Sequence, residues 1–561
     1  MNFSFYNYIF FYFIILFSVI GYGLFFAKIT QRTNIQKNFG YAGLLGLFFL
    51  TIYSYISHFI IAHSLLHNSI LVILGIFFFI FYIFRDPNNK KEIYFTLCIF
   101  LILFISALIF KTHDDFPYYH FAYSYHLTQS SVLIGIGPFS HGFRTPSSIF
   151  YLNSLFYLPS ISFYMFHMPA LLVMGFSNII IIKKILNNFR KNQINFITYF
   201  SLFSVIFINI FFYRISEHGT DRSAQILVFL LLIEVILFIN FIPNIKKQIT
   251  KIYLLISLII SFKAFYILYL LFFLPILNKF HKEKKIKDIF KLFKNSYFIY
   301  SSLLILLVLI TSFLSTGCFL FPVVSTCFQN LPWSADIEVV IHMNNWYEQW
   351  SKAGAAPNFR ITNIDPLVYI AKFNWVSNWV DLYFFNKVSD LLLGILATVF
   401  VSFCFFYSKT KNNFYKNKEI NMIYFVLIML FFEWFYNHPA LRYGGYCLLA
   451  CVIFIPASIF MEKYSIQQKQ LFKKFLILIV ITFTVFTGRN ISRLSKEINL
   501  YSYKPLKETY YRITDHHFRI DKEMNKLIDN YELCKIKGKK CDKSLKPIII
   551  KIAGIYIFTQ N

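Results

Sequence analysis

Long apolar runs separated by short polar links extend from the start of the chain to about residue 488. Runs of roughly 17 to 22 apolar residues are long enough to cross a bilayer as helices, and this pattern predicts about 14 of them. The predicted spans lie near 6–27, 40–62, 68–84, 93–110, 164–182, 194–213, 223–242, 252–262, 264–278, 297–315, 388–407, 420–436, 445–461 and 472–488. The expected fold class is therefore an all-α polytopic membrane protein.

The eighth and ninth of these runs are too short to be ordinary spans. They meet at Lys263, which has apolar sequence on both sides. A lysine in such surroundings is costly unless its ammonium reaches the interface or an anion, and a phosphate would suit it. The pattern predicts two short helices that meet at a candidate phosphate-binding lysine.

Three polar regions interrupt or follow the spans. The transmembrane domain is expected over 1–488, with long exterior loops over 111–146 and 316–387, and an exterior tail over 489–561. The second loop lacks a long apolar run and is predicted to be a small, mostly helical subdomain. The tail ends in a segment rich in β-branched residues, 547–558, which predicts a strand or two and a small α+β unit.

Composition and charge support a membrane protein. Of 561 residues, 57% are hydrophobic and 14% are charged, whereas a soluble domain carries about a quarter charged residues. The net charge of +28 could indicate a nucleic-acid partner. However, Lys and Arg concentrate in alternate links, as the positive-inside rule requires, so the charge is mainly a topology signal and no nucleic-acid partner is expected.

Eight cysteines divide by position. Cys318 and Cys327 form one close-spaced pair and Cys534 and Cys541 another, both in predicted exterior segments. We expect both pairs to be disulfides in an oxidising compartment. A zinc site is the alternative for four such cysteines, but no CxxC spacing supports it.

The candidate chemistry begins in the stretch 111–120, KTHDDFPYYH, where the fourth predicted span ends. Asp114 and Asp115 are adjacent, and two ionised carboxylates repel, so the pKa of one is expected to rise toward neutrality. Alternatively, both aspartates cap a helix that begins at Pro117. That helix would carry aromatic and polar side chains along one face and lie on the membrane surface.

Two further polar clusters sit at predicted exterior ends of spans. Glu217, Asp221 and Arg222 fall in a short link and could line the same cavity as Asp114, or form a solvated, salt-bridged turn. Arg442 lies in a tight turn and has the planar fork that suits a phosphate, or it anchors the turn at the interface. Other candidates for substrate contact are His113, Tyr118, His120 and Trp333, which could equally anchor loops in the headgroups.

Together these residues predict an enzyme that acts on a membrane-embedded lipid phosphate. A carboxylate would remove a proton from an acceptor hydroxyl, Lys263 and Arg442 would hold the phosphate leaving group, and aromatic rings would stack on sugar faces. The sequence has no Walker loop, GxGxxG, HExxH or GxSxG motif that would indicate another chemistry.

The chain resembles the GT-C superfamily of integral membrane glycosyltransferases, which includes the protein O-mannosyltransferases and the aminoarabinose transferase of lipid A. The resemblance is carried by four short motifs, which are HDDFPYYH at 113–120, GTDRSAQ at 219–225, SFK at 261–263 and PALRY at 439–443. In that superfamily the first acidic motif usually follows the first span, whereas here it follows the fourth predicted one.

The resemblance implies an inverting single displacement on a polyprenyl-phosphate sugar, with Asp114 or Asp115 as general base. It also implies a bacterial inner membrane protein with a periplasmic active face, acting in cell-envelope glycan or lipopolysaccharide synthesis on a glycan, lipid or protein acceptor. No firm cofactor and no metal ligands are expected, and a divalent metal requirement is left open.

Two other functions remain open from the sequence. A transporter or flippase for a lipid-linked glycan would carry its charged residues within the spans, whereas here the clusters fall at span ends. An O-antigen polymerase-like protein would be expected to have arginine-rich exterior loops, which are not evident.

Overall fold

A computed structural model describes residues 5–31, 38–84, 89–240, 245–408, 420–464, 468–508, 510–535 and 546–559. The long helices are Phe5–Ile29, Phe39–His58, Leu65–Ile83, Asn89–Ala107, Met168–Arg190, Phe196–Phe211, Ile215–Asn240, Ile245–Phe262, Phe273–Lys282, Ser296–Thr316, Ser389–Phe406, Ile420–Asn437, Gly445–Lys463 and Gln468–Tyr501. The protein is an all-α polytopic membrane protein.

Eleven helices in the described part of the chain are long and apolar enough to cross a bilayer. Each coincides with one of the about 14 predicted spans. The other predicted spans are also helical, over Asn89–Ala107, Phe196–Phe211 and Ile245–Phe262. The first of these begins with Lys90, Lys91 and Glu92, and the other two are short.

Helix Ile215–Asn240 lies at the centre of the bundle. Its apolar part is 89% buried, whereas that of helix Leu65–Ile83 is only 22% buried. Close packing elsewhere depends on small residues, because a side chain on Gly23 would collide with the carbonyl oxygen of Ala42 in the neighbouring helix. Helix Ile215–Asn240, the central helix, carries Asp221 and Arg222.

The break at Lys263 is confirmed. Helix Ile245–Phe262 ends there, Lys263 is extended, and the chain continues as a 3₁₀-helix, Ala264–Phe272, before helix Phe273–Lys282. Because the lysine is outside both helices, its side chain can leave the apolar surroundings of its neighbours.

Shorter elements make up the long loops. These helices are Phe121–Gln129, His141–Arg144, Ser148–Ser154, Ile286–Phe293, Ile337–Lys352, Pro366–Ile370, Val376–Trp379 and Arg519–Lys535, with π-helical turns at Phe116–His120 and Val380–Val388 and 3₁₀ turns at Gly137–Phe139, Val324–Thr326, Asn358–Ile361, Leu441–Tyr443 and Asp515–Phe518. Helix Phe121–Gln129 is mostly buried in the protein, so the expectation that it lies on the membrane surface was wrong.

The tail packs against the first long loop. Strands Ile548–Ile552 and Ile555–Thr559 are antiparallel, with Ile550 opposite Ile557, and Ile134 of the loop makes a parallel bridge to Ile557. Helix Gln468–Tyr501 runs without interruption through residue 488, where the tail was expected to begin.

The predicted disulfide between Cys318 and Cys327 is confirmed, with a Cα–Cα distance of 3.9 Å. It closes the start of the loop 316–387, directly after helix Ser296–Thr316 ends at Gly317 in the left-handed conformation. In the second predicted pair, Cys534 and Cys541, the latter lies outside the described residues.

Candidate functional site

Four charged side chains from four separate segments meet at one place. The carboxylate of Asp221 lies 2.5 Å from Lys263 Nζ through Oδ1, and 2.9 Å from Arg442 Nε through Oδ2. Arg442 Nη2 also donates to Asp115 Oδ2 at 3.1 Å. Arg442 therefore bridges the two carboxylates.

The four side chains remain within reach of a ligand. The exposed fractions of the side chains are 26% for Lys263 and Arg442 and 27% for Asp115, whereas Asp221 is 11% exposed. Two carboxylates face two cations, so the cluster is neutral overall. An incoming anion would therefore compete with a carboxylate for Arg442 or Lys263.

The electrostatics of the cluster keep Asp115 ionised. Burial acts to raise the pKa of Asp115, but the Arg442 guanidinium foremost outweighs it, and the pKa falls below its ordinary value. Burial likewise acts to lower the pKa of Arg442, but Asp221 foremost outweighs it, and that pKa rises. The rise in pKa expected from two adjacent carboxylates is thus not found at Asp115.

Two histidines beside Asp115 are neutral at pH 7. Burial lowers the pKa of His120 to about 3. Burial also lowers the pKa of His113, whose Nδ1 accepts a hydrogen bond from the Asp115 backbone N–H at 3.1 Å. The Nε2 atom of His120 is buried and has no hydrogen-bond partner among the described residues.

Local structure directs the Asp115 side chain toward the cluster. Asp115 precedes the π-helical turn Phe116–His120 without making a capping hydrogen bond, so the alternative that it caps this helix was wrong. Tyr119, four residues on, donates to Asp115 Oδ2 at 3.3 Å. The carboxylate is therefore held by a neighbouring hydroxyl and by Arg442 rather than by the helix backbone.

The turn that carries Arg442 is fixed by side chains from distant elements. Three side chains donate to carbonyl oxygens of this turn: Trp379 to Pro439 at 3.0 Å, Trp434 to Ala440 at 3.0 Å and Gln225 to Arg442 at 3.1 Å. Two hydroxyls accept from its backbone N–H groups: Ser351 from Ala440 and Tyr383 from Leu441. These contacts preorganise the guanidinium.

Aromatic rings line the cationic side of the cluster. The Arg442 guanidinium lies 5.5 Å from the centre of the Trp350 ring and 5.9 Å from that of Tyr443, and Lys263 Nζ lies 5.7 Å from the Tyr443 ring. Trp350 comes from helix Ile337–Lys352, so the loop 316–387 contributes directly to the site. Such rings stabilise cations and offer faces on which a sugar can stack.

Helix Gln468–Tyr501 braces the segments on which the two carboxylates lie. Arg493 donates to the carbonyl oxygens of Leu108 at 2.8 Å and Ile105 at 3.3 Å, and Glu497 accepts from the Phe110 N–H at 2.9 Å. Arg493 and Glu497 are themselves 3.1 Å apart and buried.

The same helix also holds the segment before Asp221. Asn490 Nδ2 donates to the carbonyl oxygen of Tyr213 at 3.2 Å, two residues before helix Ile215–Asn240 begins. One helix thus fixes the backbone that leads into Asp115 and the backbone that leads into Asp221.

Asp114, Glu217 and Arg222 do not join the cluster. The Asp114 side chain is 87% exposed and lies 4.0 Å from Lys111. Glu217 is buried and forms an ion pair with Arg214. Arg222 stacks on the rings of Phe212 and Tyr446.

Tyr118 and Trp333 also lie elsewhere. Tyr118 is exposed, and Arg519 of the tail lies 5.2 Å from its ring centre. The indole N–H of Trp333 donates to the Phe313 carbonyl oxygen at 3.1 Å, at the end of helix Ser296–Thr316.

Sequence reasoning missed several residues of the site. Tyr119 could have been found, since it follows Asp115 by one helical turn. Gln225 ends the motif at 219–225, but the sequence does not show its contact with the Arg442 turn. The contacts of Trp350 with Arg442, and of Arg493 and Glu497 with the segment before Asp115, carry no local signal because they join segments far apart in the chain. Among the described residues, no group of three or more His, Cys, Asp or Glu side chains is placed to hold a metal ion.

A family described as a domain of unknown function (DUF8201) matches residues 7–449, and the chain belongs to this family. No curated protein and no solved structure matches the chain. The family match contains Asp115, Asp221, Lys263 and Arg442, and ends before the helix that carries Arg493 and Glu497.

Proposed function

We propose that this member of the DUF8201 family is a membrane glycosyltransferase of the GT-C type, which transfers a sugar from a polyprenyl-phosphate donor to an acceptor hydroxyl. The observation that carries the proposal is the sharing of Arg442 between Asp115 and Asp221, with Lys263 beside it. A transfer from a lipid phosphate needs a carboxylate base and cations for the leaving group at one place.

In the proposed reaction the phosphate of the donor binds to the side chains of Lys263 and Arg442. Asp115, released from Arg442, accepts the proton of the acceptor hydroxyl. The acceptor oxygen forms a bond to the anomeric carbon while the bond from that carbon to the phosphate oxygen breaks, and its electron pair leaves with the phosphate. Attack opposite the leaving group inverts the anomeric centre.

Other residues have supporting roles in this scheme. Asp221 keeps Lys263 and Arg442 in place before the donor arrives, and Trp350 and Tyr443 offer faces to the sugar. We place the reaction at the periplasmic face of a bacterial inner membrane, in the synthesis of a cell-envelope glycan, because the site lies at the end of the spans that the charge pattern puts outside.

The test measures transfer from polyprenyl-phosphate sugars by the full chain in membranes. Asp115→Asn should lower transfer by about 100-fold or more, which is the usual contribution of a general base. Asp114→Asn is the matched control, since that neighbouring carboxylate is exposed, and it should transfer at close to the wild-type rate.

Donor binding gives a second measurement. Arg442→Met and Lys263→Met should each weaken the binding of polyprenyl phosphate, while Asp115→Asn should not. Equal transfer by Asp115→Asn and wild type, or unchanged polyprenyl-phosphate binding in both cation variants, would contradict the proposal.

A further inference from the structure

Arg222 has no hydrogen-bond acceptor among the residues that the structure describes. Its guanidinium lies over the rings of Phe212, at 5.4 Å, and Tyr446, at 5.9 Å, yet it makes no hydrogen bond or ion pair with any residue that the structure describes. A guanidinium carries five N–H donors, and donors withdrawn from water without acceptors are costly. The side chain is partly exposed, so an acceptor from outside the protein can reach it.

The neighbouring carboxylates are already engaged. Asp221, the preceding residue, is bonded to Lys263 and Arg442, and Glu217 is paired with Arg214. Neither is available to neutralise Arg222. Arg222 therefore has no ion-pair partner of its own among the described residues.

Arg489 combines a ring contact with a hydrogen-bond acceptor, and Arg222 lacks such an acceptor among the described residues. The guanidinium of Arg489 lies 3.9 Å from the Tyr213 ring centre, so it too stacks on an aromatic residue. Arg489, however, donates to the Ile210 carbonyl oxygen at 2.6 Å. Ring contact alone is thus not the general solution for arginines in this region.

The depth of Arg222 indicates the class of ligand. It is the third residue of the apolar segment Thr220–Asn240, which places it near the level where an apolar helix leaves the hydrocarbon layer and lipid phosphates lie. A guanidinium fork fits two phosphate oxygens, and the two rings fix its plane.

We propose that Arg222 binds the phosphate group of a phospholipid headgroup, at a site distinct from the cluster of Asp115, Asp221, Lys263 and Arg442. The proposal does not depend on glycosyl transfer, because none of those four residues bonds to Arg222 in the described part of the chain. Arg222 anchors a structural lipid beside the central helix.

The test uses the full chain in nanodiscs of phosphatidylglycerol and in nanodiscs of phosphatidylcholine, with retained lipids counted by native mass spectrometry. Wild type should retain one tightly bound phospholipid that Arg222→Met loses. Arg489→Met is the matched control and should retain it. Arg222→Lys keeps the charge without the fork and should bind a short-chain phosphatidylglycerol at least about tenfold more weakly than wild type.

Inorganic phosphate, titrated into the protein in detergent, separates the two sources of the anion. Displacement of the short-chain lipid only at concentrations far above those of the lipid supports a lipid site. Equal lipid retention by Arg222→Met and wild type, equal loss in Arg222→Met and Arg489→Met, or equally tight binding of free phosphate would overturn the proposal. Thermal unfolding of each variant checks that it is folded.

Discussion

Helix Ile215–Asn240 carries two acidic residues that are each paired with a lysine, Asp221 near its start and Glu234 about 20 Å further along. Glu234 Oε2 lies 3.3 Å from Lys251, and the carboxylate also accepts from the Tyr41 hydroxyl and the Gln248 amide. Its side chain is only 4% exposed. The hydroxyl of Tyr41 and the amide of Gln248 thus occupy the Glu234 carboxylate together with Lys251.

The surroundings of Asp221 differ in kind. Its side-chain partners are the two cations, Lys263 and Arg442, and both are partly exposed and beside aromatic rings. Lys263 or Arg442 can bind a phosphate in place of the Asp221 carboxylate. The Tyr41 hydroxyl and the Gln248 amide around Glu234 carry no charge that would attract a phosphate in the same way. The same pair of residue types thus forms a structural clamp at Glu234 and an open site at Asp221.

This difference also bears on the transporter alternative. A transporter would use charged residues within its spans, and Glu234 is such a residue. Because the described contacts of Glu234 occupy both carboxylate oxygens from within the chain, it is better explained as a packing element than as part of a transport path.

The largest expected effect concerns stability. Lys251→Met leaves the buried Glu234 carboxylate without its cation and should lower the free energy of unfolding by about 3 to 5 kcal/mol. Lys263→Met leaves Asp221 paired with Arg442 and should cost much less. Thermal unfolding in detergent measures both, and equal destabilisation by the two variants would mean that Asp221 is also a structural clamp.

A smaller effect should appear in the dependence of stability on pH. The pKa of Asp115 in the folded protein lies below its ordinary value of 3.8. Its pair with Arg442 therefore stabilises the fold above that value and is lost as the pH falls through the lower folded pKa. The contribution is about 1 kcal/mol, because both side chains are partly exposed.

Arg442→Met removes the main cause that lowers this pKa and leaves burial, which raises it. With its pKa raised, Asp115 favours the protonated folded state, so the acid-dependent loss of stability that wild type shows through Asp115 should be absent from the variant. The measurement is the thermal midpoint of both proteins between pH 3 and pH 7. Identical acid profiles would show that Asp115 and Arg442 are not coupled in solution.

The site was predictable residue by residue but not as an arrangement. Lys263 stood out as a charge in apolar surroundings, and Asp221 and Arg442 as charges at the exterior ends of predicted spans. The structure brings the three together. The choice between Asp114 and Asp115 could not be made, since adjacent residues point in different directions and the π-helical turn that orients them has no sequence signal.

The wrong location predicted for helix Phe121–Gln129 also arose because local sequence does not show tertiary contacts. Phe121–Gln129 looked suited to the membrane surface because it mixes aromatic with polar residues, but the protein interior there contains polar groups such as Ser124 and His126. Arg493 and Glu497 have the i, i+4 spacing of an ordinary surface ion pair. Only the tertiary structure shows that they face the backbone near Phe110.

The smallest expected effect tests whether the open site depends on that brace. Glu497→Gln can still accept the Phe110 N–H, but it loses the charge that pairs with Arg493. If the brace positions Asp115, kcat for transfer should fall by about three- to tenfold, a loss of about 1 kcal/mol, with KM unchanged, because the cations that bind the donor are held by a different turn. Asp515→Asn, at an exposed tail carboxylate paired with Lys522, is the control and should change neither constant. A rise in KM with kcat unchanged would instead mean that helix Gln468–Tyr501 positions Lys263 and Arg442. The open site at Asp221 would then depend on this helix for donor binding.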